Sequence, residues 1–126
     1  MIDDDLIYQF TCKKLIQSLE LPIELIPFLN GQEALDFLLK NAKVENKLPD
    51  FIFLDINMPI LNGWQFLEDY VNIKNQLCKP NLLYLVSSSI DFEDVERAAK
   101  NNLLTGYINK PISKEKILKA INLRQS

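Results

Sequence analysis

Histidine is absent from the chain, and that absence removes more chemistry than any residue present adds. Ser-His-Asp and Cys-His catalysis are excluded, together with His-based zinc sites. Any chemistry must run on carboxylates, hydroxyls, lysine or a bound cation. Cysteine is scarce as well. Cys12 and Cys78 fit no metal-ligand spacing, and reduced thiols in a reducing compartment are expected. Positive charge is not in excess: the net charge is -3, which offers nucleic acid no basic surface. Long apolar runs are missing too. "LLYLV" is far too short to span a bilayer, and the acidic opening "MIDDDL" is unlike a signal peptide. A cytoplasmic protein, engaging neither nucleic acid nor membrane, is the expectation.

What remains is 126 residues, 48% of them hydrophobic, enough for one domain over 1–126 with a real core. Apolar runs alternate with helical patterns. "IELIPFL" (23–29), "FIFLD" (51–55), "LLYLVSS" (82–88) and "GYIN" (106–109) read as strands. Between them, apolar residues recur at helical spacing: Cys12, Leu15, Ile16 and Leu19; Leu35, Leu38, Leu39 and Ala42; Gly63, Phe66, Leu67 and Tyr70. Phe92, Val95 and Ala99 mark a fourth helix, and Ile117, Ala120 and Ile121 a fifth. Asp91 and Ser113 are the expected N-caps of those last two. Strands 51–54 and 82–86 are apolar at nearly every position, so both faces must be covered, as in a parallel sheet between helix layers. The pattern predicts a doubly wound α/β fold. Only "MI" stands before the first aspartates, so the first strand is expected to be truncated in this chain.

Ligands of such sheets bind beyond the carboxyl ends of the strands. The polar residues there are Asp3, Asp4 and Asp5, then Asp55, then Ser87 and Ser88, then Asn109 and Lys110. Two carboxylates about 5 Å apart at an effective dielectric near 20 repel by roughly 3 kcal/mol, so the cluster needs protons, a lysine or a metal. A few hard oxygen ligands with room for water suit Mg²⁺. An aspartate carboxylate shielded in this way can attack phosphorus and form an acyl phosphate. Lys110 balances remaining charge, and a serine hydroxyl can hydrogen-bond a phosphoryl oxygen.

The stretches "IDDD", "NGQEAL", "LDINMPILNGW", "VSSS" and "YINKPI" resemble, in order and close to spacing, those of response-regulator receiver domains. The resemblance covers nearly the whole chain. It implies a five-stranded sheet of order 2-1-3-4-5 with helices on both faces. Asp55 matches the phosphoacceptor, while Asp3 and Asp4, with Asp55, match the Mg²⁺-holding acids. Asn57 matches the position whose backbone carbonyl joins the metal. Ser87 and Tyr107 match the switch pair, Lys110 the lysine of the motif, and a cis Lys110–Pro111 bond is implied. Pro59, Asn62 and Gly63 shape the loop into the third helix, with Asn62 where the family usually has aspartate.

The resemblance further implies a histidine kinase or histidine phosphotransfer protein as donor. A downstream effector protein would read the face of the fourth helix, fifth strand and fifth helix, about residues 91–123. On this reading the protein is no enzyme beyond its own phosphorylation and dephosphorylation.

Singly, each motif has a plain structural account. The acidic triplet can be a solvated tail with Asp5 capping a helix, "KP" a turn, "SSS" a loop, and Tyr107 core. Trp64 reads as packing, and Phe10, Phe37 and Phe66 as members of helical apolar stripes. Two alternatives stay open: a receiver-like adaptor that is never phosphorylated, and a fragment of a larger regulator or hybrid kinase. A haloacid-dehalogenase-like phosphatase is disfavoured because Asn57 stands where its acid/base aspartate belongs. A flavodoxin-type binder is disfavoured because no phosphate loop follows the first strand.

Overall fold

The computed structural model describes residues 1–58, 61–88 and 92–125, with side chains of Phe92 and of residues beyond Ile121 left aside. Three strands form a parallel sheet in the order β1 (Phe51–Asp55), β2 (Leu82–Ser87), β3 (Leu104–Asn109). They are the strands expected third, fourth and fifth. Register runs from Phe51 opposite Leu82 to Asp55 opposite Val86, and Ser87 faces Asn109 across the next pair. Among the described residues five α-helices accompany them: α1 (Leu6–Ser18), α2 (Gly31–Lys40), α3 (Gly63–Ile73), α4 (Phe92–Ala99) and α5 (Lys114–Gln125).

Strand β2 explains why its sequence is apolar throughout. Leu83 and Leu85 enter one core cluster, with Leu54, Phe66 and Ala98, while Tyr84 and Val86 enter a second, with Ile108 and Ala120. Successive side chains leave a strand on opposite faces, so two helix layers demand two apolar sets. The Tyr84 hydroxyl donates to Ala120 O at 3.1 Å and ties α5 to its face.

The segment 23–29 is not a strand. Only Phe28 pairs, bridging Ile2 in parallel, and Ile2 in turn bridges Leu54. Position 2 therefore lies between 28 and 54, and the chain segments follow the 2-1-3-4-5 order although the first two of them form isolated bridges and no ladder. The cause is the partner, which is a stub; residues 26 and 28 face it, while Pro27 turns its N–H-less nitrogen to the outer edge, where no ladder bond is lost. Among the described residues the stub's bonds to this segment are Met1 N to Ile26 O, Phe28 N to Met1 O and Asp3 N to Phe28 O.

Helix starts follow their sequence signals. The Asp5 carboxylate accepts from Ile7 N and Tyr8 N, Asn30 caps α2, and Asn62 with Gln65 closes a reciprocal capping box on α3. The Ser113 hydroxyl accepts from Lys116 N at 3.2 Å; the expected Asp91 cap, with Ser89 and Pro59, lies outside the described residues. Phe66 is fully buried and Phe37 half-buried, but Phe10 is 61% exposed and does not belong to the core stripe of α1. The buried face of that helix is Gln9, Cys12 and Ile16, and Phe10 sits one residue around from it. Both cysteines are free. No described helix is long and apolar enough to cross a membrane.

Candidate functional site

Strand β1 delivers Asp55 to the carboxyl edge of the sheet because Ile52 and Leu54 are anchored in the core below it. The stub aligns beside it: Ile2 N donates to Phe53 O at 2.8 Å, and Asp55 N donates to Ile2 O at 2.9 Å. Asp3 and Asp4 are thereby carried to the same level. One carboxylate oxygen from each of Asp3, Asp4 and Asp55 lies within 4.8 Å of the others. Asp3 is 2% exposed and Asp55 6%, whereas Asp4 is open to solvent.

Strand β3 brings the counter-charge. Lys110 follows its last residue, its backbone N–H donates to Ser87 O at 2.9 Å, and its bond to Pro111 is cis. Its ammonium lies 2.8 Å from Asp3 Oδ2 and 3.7 Å from Asp55 Oδ2. The remaining Asp3 oxygen accepts from Asp5 N at 2.9 Å. Three ionised carboxylates against one ammonium leave a surplus of negative charge. Pairs at the observed spacing repel by about 3 kcal/mol at an effective dielectric near 20.

The titration behaviour follows. Burial, then the Asp3 charge, pushes Asp55 up to about 6, against the opposing pull of Lys110. Burial alone would lower Lys110, but the hydrogen bond to Asp3 and the charge of Asp55 outweigh it and raise its pKa.

The other expected residues are placed around this centre. Asn57 donates its N–H to Asp55 Oδ1 at 3.3 Å while its side chain is exposed. Ser87 is fully buried at the end of β2, one position beyond the residue opposite Asp55. Tyr107 lies on β3 opposite Leu85, half-buried against the first core cluster. Trp64 packs at the start of α3, its indole N–H donating to Asp94 at 3.3 Å beneath the Arg97 guanidinium.

Two supporting residues escaped the sequence reading. Gln9, 5% exposed, donates through Nε2 to the carbonyls of Met1, Asp3 and Phe28 and so ties α1 to the stub and its neighbour. Its signal was a polar side chain on the buried stripe it shares with Cys12 and Ile16. Tyr8 places its ring 4.2 Å from Lys110 Nζ. The Tyr8 hydroxyl is buried beside Cys12 and the Ile112 backbone but meets neither with hydrogen-bond geometry, and its pKa is raised, chiefly by burial.

A doubly wound α/β sheet with three carboxylates and a lysine at its carboxyl edge defines a CheY-like receiver. The chain belongs to the response regulator receiver domain family, whose model matches residues 1–122. PilG of Pseudomonas aeruginosa is 31% identical over 123 residues, 96% of this chain and 82% of that protein. The sensor histidine kinase CheAY of Helicobacter pylori is 33% identical over 117 residues, 90% of this chain. The chain spans only 13% of that kinase's length. Among solved structures, a two-component response regulator from Cytophaga hutchinsonii matches with a TM-score of 0.80 at 28% identity, covering 97% of this chain and 91% of that one. A receiver protein from Dyadobacter fermentans does so with 0.80 and 28%, covering 98% and 92%.

Proposed function

We propose that the chain accepts a phosphoryl group on Asp55 from the phosphohistidine of a histidine kinase or histidine phosphotransfer protein. The observation that carries this reading is the convergence of Asp3, Asp4, Asp55 and Lys110 at the end of β1. An Asp55 carboxylate oxygen attacks phosphorus, the P–N bond to the donor histidine breaks, and the imidazole leaves with the bonding pair. The product is an acyl phosphate.

The donor set fits Mg²⁺: hard oxygens, one of them exposed, on a cluster that one lysine leaves negative. Asp3, Asp4 and Asp55, with the backbone carbonyl of Asn57, would hold the ion, and it would supply neutralisation of the phosphoryl charge. Lys110, already poised between Asp3 and Asp55, grips a phosphoryl oxygen, and the Ser87 hydroxyl offers a second hydrogen bond. The protein turns over no other substrate.

Signalling is a shift between two conformers. Ser87 is drawn to the phosphoryl group, Tyr107 turns toward the space released, and an effector protein reads the altered face of α4, β3 and α5.

Incubation with acetyl phosphate and Mg²⁺ tests the proposal by intact mass. The wild type gains one phosphoryl group and Asp55→Asn gains none. A wild type that stays unmodified while a control receiver is labelled leaves a protein-binding adaptor as the better account.

A further inference from the structure

The Lys110 ammonium meets a third group besides its two carboxylates. It stands over the face of the Tyr8 ring, 4.2 Å from the ring centre. Tyr8 is placed there by residues of the acidic opening. The Asp5 N–H donates to Asp3 Oδ1 at 2.9 Å, and Asp5 Oδ1 accepts from Tyr8 N at 3.1 Å. Lys110 Nζ then donates to Asp3 Oδ2 at 2.8 Å. Asp3, Asp5, Tyr8 and Lys110 therefore form a closed circuit of contacts, joining the first turn of α1 to the residue after β3.

Packing alone does not account for a tyrosine in this circuit. Its hydroxyl is buried without a hydrogen-bond partner, a cost that an aliphatic side chain of similar reach would avoid. What an aliphatic side chain cannot offer is a negative ring face to a cation. That attraction grows where water is excluded, and the lysine side chain is only 18% exposed. A lysine stem also has many rotamers, and the carboxylates at 2.8 and 3.7 Å set the distance of its ammonium without fixing the stem. The ring closes one further direction of escape.

We propose that Tyr8 is the positioning residue of Lys110: its ring holds the ammonium at the place from which it meets a phosphoryl oxygen on Asp55. This rests on the reading of Asp55 as the acceptor. It adds that the rate of acceptance depends on an aromatic face that itself touches no phosphoryl oxygen, because a cation already in place needs no reorganisation during transfer.

Tyr8→Leu and Tyr8→Phe are compared with the wild type by two measurements. In the first, made without Mg²⁺ or phosphodonor, the Lys110 Cε protons are read by NMR. The ring face should shift them upfield of the other lysines in the wild type and in Tyr8→Phe, and Tyr8→Leu should return them to the ordinary position. In the second, labelling by acetyl phosphate and Mg²⁺ is expected to slow roughly three- to tenfold in Tyr8→Leu and to be rescued in Tyr8→Phe. An unshifted Lys110 resonance in the wild type overturns the proposal, and this readout holds even where Tyr8→Leu does not fold. Labelling of folded Tyr8→Leu at the wild-type rate overturns it too, as does an equal loss in Tyr8→Phe, which assigns the role to the hydroxyl. A wild type that takes no phosphoryl group overturns the acceptor reading and this proposal with it, whereas the preceding failures leave that reading standing.

Discussion

Lys110 Nζ stands 2.8 Å from Asp3 Oδ2 but 3.7 Å from Asp55 Oδ2, so the lysine pairs first with the carboxylate of the stub and only second with the proposed acceptor. Asp55 is thus the less compensated of the two buried acids, in keeping with its raised pKa.

Replacing the lysine exposes this imbalance. Lys110→Met takes the ammonium from buried Asp3, which keeps the Asp5 N–H donor, and leaves Asp55 facing like charge. The expected cost is about 1–3 kcal/mol in urea unfolding at pH 7.5. Millimolar Mg²⁺ should recover most of it, because a cation on the same cluster replaces the missing charge. Equal stability of the variant and wild type without Mg²⁺ would contradict this account.

Ionised Asp55 is expected to destabilise the unliganded fold. Its folded pKa is about 6, against 3.8 as the ordinary value. The folded state therefore binds this proton more tightly than the unfolded chain. The resulting stabilisation is complete below about pH 4 and is lost as pH rises through 6. Asp55→Asn should be more stable than wild type at pH 8, by on the order of 2 kcal/mol, and nearly equal to it at pH 4. The Met1 amine, lowered by burial to about 6, works in the opposite direction in an overlapping window. It is common to both proteins, so the difference between their thermal midpoints isolates Asp55.

Gln9 acts on the site through backbone. Gln9→Leu removes three hydrogen bonds that fix the carbonyls of Met1, Asp3 and Phe28. A loss of about 2 kcal/mol is expected. Mg²⁺ affinity, read by calorimetric titration, should fall several-fold, because Asp3 loses its fixed orientation. A destabilised variant with unchanged affinity would reduce Gln9 to a purely structural role.

Gly63 allows α3 to approach the end of β1 closely. A Cβ there would lie 2.8 Å from Asp55 O and 2.9 Å from Ile56 Cα, both backbone atoms with no room to move aside. Gly63→Ala should cost about 1–3 kcal/mol and shift the urea midpoint without changing the slope.

The sequence made legible what depends on local pattern. The strands 51–55, 82–88 and 106–109 were readable because burial on both faces forces continuous apolar runs, and the structure moves their ends by at most two residues. Asp5, Asn62 and Ser113 announced their helices through short-range capping chemistry. Asp3, Asp4, Asp55 and Lys110 were readable as a group because parallel topology sends every strand end to one edge. The 23–29 segment was misread because a strand exists only when its neighbour does, and its neighbour here is three residues of stub. Phe10 was misplaced for a similar reason: helical spacing identifies a face, and tertiary packing decides whether anything covers it. Tyr8 and Gln9 matter only through contacts made in three dimensions, and nothing in their spacing names Lys110 or Phe28 as their partners.

The ion pair between Lys110 and Asp3 joins residues 107 positions apart. A nascent polypeptide leaving the ribosome therefore carries its acids long before the lysine that tempers them has been synthesised. Chains that stall, or that collapse without adding the last strand, hold a loose set of repelling anions. The carboxylates at the end of β1 thus acquire their buried cation only when the polypeptide has been made through Lys110 and β3 has joined the sheet.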